Sequence, residues 1–100
     1  KLIWNIAHPL PYPFASDLWA ASSFQAQFRK GMDAPYGRKT VGQYIHRPQF
    51  ELYDIEKDPD EARTLAFSTD HADVLKQYQA TLKAFQKQMH DPWIMKWDYE

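Results

Sequence analysis

Phe50-Glu51-Leu52-Tyr53-Asp54-Ile55-Glu56-Lys57-Asp58-Pro59-Asp60-Glu61 decides how the chain folds. Phe50, Leu52 and Ile55 interleave with polar or amphipathic neighbours, the pattern of a half-buried strand over Phe50–Asp54. Lys57-Asp58-Pro59-Asp60 then forces a turn. Pro59 fixes its own φ, pushes Asp58 out of the helical region and cannot donate to a ladder. The flanking aspartates can accept from nearby backbone N–H groups.

Downstream, Arg63 to Thr69 reads as a loop anchored by Leu65 and Phe67, followed by one long helix over Asp70–Met89. Val74, Leu75, Tyr78, Leu82, Phe85 and Met89 fall on one stripe. Asp70 and Asp73 at its start, and Lys83, Lys87 and His90 near its end, suit the helix dipole. Burying six such side chains would contribute on the order of 10 kcal/mol before ordering entropy is subtracted. In His90-Asp91-Pro92-Trp93, Pro92 stops the helix and lets Trp93 and Trp97 fold back.

Upstream, Leu2–Ala7 has the β propensity of a strand. Pro9, Pro11 and Pro13 favour an extended, polyproline-like path, either a recognition segment for an aromatic groove or a connector laid on the domain's own surface. A helix is expected from Ser22, as N-cap of a box closed by Gln25, to the stop at Lys30-Gly31, with Phe24 and Phe28 on one face. Asp17 to Ala21 reads as a turn and Met32 to Gly42 as irregular. The sum is an α+β fold: a small antiparallel sheet packed against a long C-terminal helix, in one domain over residues 1–100.

The charge balance excludes several partners. Twelve basic and 13 acidic residues leave a net charge of −1, with no basic face for nucleic acid and no polybasic membrane anchor. No apolar run is long enough to span a bilayer, and no signal peptide is read. Aromatic residues make up 16% of the chain, enough to fill a core and also to build a contact surface. The opening Lys1-Leu2-Ile3-Trp4, already strand-like and without Met, reads as a cut from a longer polypeptide.

Little in the sequence carries chemistry. There is no cysteine, hence no thiolate ligand or nucleophile. Asp54, Glu56, Asp58 and Asp60 alternate like a calcium loop. An EF-hand needs Gly at its sixth position and Glu at its twelfth, where this chain has Pro59 and Leu65. His8, His46, His71 and His90 have no metal-ligand spacing, and no serine lies in a nucleophile-elbow context. In His46-Arg47 two possible anion-binding side chains adjoin close to the aromatic Tyr44. The blander reading is a solvated loop with Arg47 stacked on Tyr44 or Phe50. No catalytic or metal-binding residue is assigned.

Tyr53-Asp54-Ile55-Glu56-Lys57-Asp58-Pro59-Asp60-Glu61 with Leu65-Ala66 resembles the ELYDLxxDPxExxNLA signature near the C-terminus of type I sulfatases, with Thr64 in the place of Asn. Asn5, Pro11-Tyr12-Pro13, Asp17, Phe24-Gln25, Tyr44 with Arg47, and His90-Asp91-Pro92-Trp93 are similar to the heparan N-sulfatase (sulfamidase) branch, and the likeness runs in order over nearly the whole chain. The resemblance implies a C-terminal sulfatase subdomain, truncated and inactive alone. In the family such a domain is a sheet of about four antiparallel strands under a long helix. It docks on the catalytic domain of the same polypeptide and helps wall the pocket for a sulfated sugar in glycosaminoglycan degradation. Formylglycine and calcium are implied for that catalytic domain, not for this chain, and the location implied is extracytoplasmic. His46 and Arg47 are the residues expected to face the anionic sugar. The competing reading is a free-standing carbohydrate- or peptide-binding module using Trp4, Tyr12, Trp19 and Trp93.

Overall fold

Phe50–Leu52 is a strand, and its partner is the start of the chain. In the computed structural model, which describes all 100 residues, the elements run in order β1 (Leu2–Trp4), α1 (Ser16–Ala20), α2 (Ser22–Lys30), β2 (Pro35–Tyr36), β3 (Lys39–Thr40), α3 (Val41–Ile45), β4 (Phe50–Leu52) and α4 (Ala72–Gln88). Short 3-10 segments cover Thr69–His71 and Pro92–Asp98. The architecture is α+β. The residues group into two compact units, one made of Lys1–Ala7 with Gln49–Glu100, the other of His8–Pro48.

In the first unit β1 pairs antiparallel with β4, placing Leu2 opposite Leu52, Ile3 opposite Glu51 and Trp4 opposite Phe50. Both strands are shorter than their sequence pattern. Ala7 at φ 62° has left the extended region. Beyond Leu52, Asp54 turns the chain: its Oδ1 accepts from the N–H groups of Glu56 and Lys57. Asp58 continues the turn, accepting from Ala62 N–H on one oxygen and Arg63 N–H on the other. Ile55 therefore sits on the turn, 55% exposed, and not on the strand's buried face. The chain returns along the far edge of β4, where Leu65 N–H donates to Leu52 O at 2.7 Å and Leu52 N–H donates to Thr64 Oγ1 at 2.9 Å. Leu65 thus anchors this loop, whereas Phe67 stands 76% exposed.

Helix α4 is two residues shorter at its start than its periodicity predicts, because Thr69–His71 winds as a 3-10 turn. The larger difference is burial. Val74, Tyr78, Phe85 and Met89 are 39%, 45%, 58% and 60% exposed; only Leu75 and Leu82 of the stripe are half-buried. A two-stranded sheet offers too little surface to cover five turns of apolar helix. At its C-terminal end the helix is locked by polar bonds. The buried Gln86 donates from Nε2 to Asp91 Oδ2 at 3.1 Å, and its Oε1 accepts from the Trp97 indole at 2.7 Å. Asp91 also caps the following 3-10 segment through Trp93 N–H, with Pro92 in its first turn. Trp97 folds back as the sequence implies, stacking on Trp4 and Phe50 at centroid distances of 4.2 and 5.8 Å. Trp93 does not, and remains 56% exposed.

The second unit has its own core of Phe24, Ala34, Val41 and Ile45, wrapped by Phe14, Leu18, Phe28, Tyr36 and Tyr44. The segment expected as a turn, Asp17 to Ala21, is mostly helix α1, with Asp17 in its first turn. Ala21, at ψ 131°, breaks it from α2. The break lets Trp19 meet Phe28 edge-on at 5.0 Å. Ser22 is consequently the first helical residue of α2 and makes no capping bond; Gln25 instead donates to Trp19 O at 2.6 Å. The capping box of the unit belongs to α3, where Thr40 and Gln43 bond each other's backbone N–H groups. The Met32–Gly42 stretch is more regular than its turn chemistry implies. It forms the β2–β3 hairpin, Pro35 opposite Thr40 and Tyr36 opposite Lys39. Gly37 opens its two-residue connection at φ 62°, the position where hairpin turns favour glycine.

Candidate functional site

The ladder between β1 and β4 fixes which backbone groups are left over. Lys1 and Tyr53 exchange two hydrogen bonds, the N-terminal amine to Tyr53 O and Tyr53 N–H to Lys1 O, and Asn5 N–H donates to Gln49 O. Bonded pairs alternate in an antiparallel ladder, so Leu2 and Trp4 turn their N–H and C=O groups to the outer edge of β1. The matching groups of Leu52 on β4 are taken by Thr64 and Leu65. Nothing bonds those of Leu2 and Trp4. Next to this open edge lies a groove of about 290 Å³ lined by Leu2, Tyr78, Thr81, Leu82 and Phe85. An unpaired strand edge presents free N–H and C=O groups, and here it lies beside exposed apolar helix surface.

Beneath the sheet, Glu51 is 5% exposed. Its carboxylate accepts from the Tyr53 hydroxyl at 2.5 Å and from Asn5 Nδ2 at 2.7 Å. Burial, then the hydrogen bond to Glu51 and the nearby carboxylates, push the Tyr53 phenol well above its ordinary pKa. Tyr53 is therefore a permanent donor to Glu51 at physiological pH.

In the second unit His46 is the C-cap of α3, and Arg47 follows it. His46 is exposed. The Arg47 guanidinium lies 3.6 Å from the Tyr12 ring centroid and 5.3 Å from that of Tyr44, and its Nε donates to Tyr44 O at 3.3 Å. Tyr12 is the ring sequence reasoning missed, because it comes from the proline segment. Tyr12 N–H donates to Ile45 O at 2.8 Å, so that segment is laid over α3. Burial raises the Tyr44 pKa, with Tyr36 and Tyr12 adding to the shift and Arg47 opposing it.

Most of the other sequence candidates make local contacts, and Trp93 stays 56% exposed. Asp54 Oδ1 and both Asp58 carboxylate oxygens accept from turn N–H groups. No group of three or more His, Asp or Glu side chains converges as metal ligands. No helix is long and apolar enough to cross a membrane. Of the aromatics considered for sugar stacking, Trp4 lies against Trp97 and Phe50, Tyr12 is covered by Arg47, and Trp19 packs on Phe14, Phe24 and Phe28.

No family model matches the chain. Over 96 residues, 94% of its length, it is 31% identical to human N-sulphoglucosamine sulphohydrolase. It spans only 19% of the length of that curated relative. The likeness points to a sulfatase-related region.

Proposed function

We propose that the chain is the C-terminal subdomain of a sulfatase-family hydrolase resembling heparan N-sulfatase, and that it docks on a catalytic body elsewhere in the same polypeptide. The carrying observation is the 31% identity across almost the whole chain to a protein five times as long. The open edge of β1 and the uncovered face of α4 supply the means. A docked body would pair the groups of Leu2 and Trp4 and cover Tyr78 and Phe85. Alone, the subdomain turns over nothing. In place, the α3 corner with His46 and Arg47 contributes one wall of a pocket for a sulfated sugar, Arg47 meeting the anion through its planar fork.

The test uses a polypeptide joining this chain to a sulfatase catalytic body. Phe85→Asp, at a 58% exposed position, should abolish turnover of an N-sulfated glucosamine substrate while the chain alone keeps its helical circular dichroism. Unchanged turnover would remove the docking role. The exposed Trp93 favours the competing reading of a free-standing binding module. Calorimetric binding of a sugar or peptide by the chain alone, lost in Trp93→Ala, would establish that reading instead.

A further inference from the structure

We propose that Tyr12 and the Tyr44 carbonyl together make Arg47 an end-on oxyanion site, with Tyr12 as its positioning residue. Arginine has five N–H donors and can grip an anion in two ways: side-on, with Nε and one Nη, or end-on, with the two Nη groups. Here Nε is already committed to Tyr44 O, which closes the side-on fork. One face of the guanidinium is covered by Tyr12 at 3.6 Å. Within this unit no carboxylate pairs with Arg47, so the Nη edge keeps its donors. Tyr12 is itself fixed, through its backbone bond to Ile45 O and its edge-on contact with Tyr44 at 5.9 Å. A guanidinium held on its face and at Nε loses little freedom when it binds, which is what preorganisation contributes to affinity.

The ligand is an oxyanion offering two oxygens in one plane to the Nη pair, either a sulfate or a carboxylate group. The site rests on the reading above only for the kind of ligand. The measurement below needs no catalytic body, so docking and this site can fail separately.

The experiment is a titration of the 100-residue chain with methyl sulfate, and separately with acetate, followed by 15N NMR of the Arg47 Nε and Nη groups. The expected result is saturable movement of the Nη signals while the Nε–H signal stays in place. Whichever probe binds more tightly identifies the oxyanion class. Tyr12→Phe keeps the ring and should bind like the parent chain. Tyr12→Leu should bind about two- to fivefold more weakly, the size of an exposed cation–π contact. Should Tyr12→Leu fail to fold, the Nε-against-Nη pattern of the unsubstituted chain decides. Equal movement of Nε and Nη, no response to either anion, or a folded Tyr12→Leu with unaltered affinity would overturn the assignment.

Discussion

Removing the hydroxyl of Tyr53 tests the polar network beneath the sheet. In Tyr53→Phe the ring still fills its place, 4% exposed in the native chain. The Glu51 carboxylate, however, loses the donor that approaches it at 2.5 Å and keeps Asn5 at 2.7 Å. A hydrogen bond to a charged group contributes about 1.5–3 kcal/mol, and the buried acceptor left behind keeps its desolvation cost. We expect a loss of about 2 kcal/mol, which for a domain of this size lowers Tm by roughly 10 °C. Urea unfolding followed by tryptophan fluorescence measures it. A cycle with Glu51→Gln should return a coupling above about 1 kcal/mol, since the two residues share the bond. The pH dependence has a definite sign. The folded pKa of Tyr53 is raised above its unfolded value near 10, so its stabilisation is complete below pH ~10 and fades as pH climbs toward the folded value. That alkaline loss should shrink in Tyr53→Phe. A destabilisation under about 0.5 kcal/mol, or an alkaline limb unchanged by the substitution, would refute the network's role.

Three further outcomes follow from the geometry. Gln86→Leu strands the Trp97 indole and weakens the Asp91 cap; a loss of about 1–3 kcal/mol is expected in urea unfolding, with a change in Trp97 fluorescence. Thr40→Ala removes the capping box of α3 and should cost about 1 kcal/mol, read as a lower Tm. Gly37→Ala imposes a side chain at φ 62° and should cost about 1–2 kcal/mol, whereas Gly37→Asn, which tolerates that region, should cost less.

The parts legible in the sequence are those where local chemistry acts alone. Pro59 with its flanking aspartates marked the turn after β4, the stripe from Val74 to Met89 marked α4, and Asp91-Pro92 marked its end. The Phe24–Phe28 face and the Gly31 stop also stood, the latter with Gly31 at φ 113°. Helix α1 was not legible because five residues carry too little propensity; Leu18 packed on the core holds it. The β2–β3 hairpin left only a weak trace, a glycine opening a two-residue connection. The capping box expected at Ser22-x-x-Gln25 is found instead at Thr40-x-x-Gln43, a spacing the sequence reading passed over. Tyr12 under Arg47 joins residues distant in sequence, and no periodicity reports such a meeting. Periodicity also showed which side of α4 is apolar, but not whether this chain contains anything to cover it.

The most direct test of the central claim is hydrogen exchange at the Leu2 and Trp4 amides. Both point away from β4 and are unbonded in the chain described here. The account predicts rapid exchange in the chain alone and slowing by orders of magnitude when the chain is part of a polypeptide carrying a sulfatase catalytic body. Rapid exchange in both, with Tyr78 and Phe85 equally accessible, would contradict it.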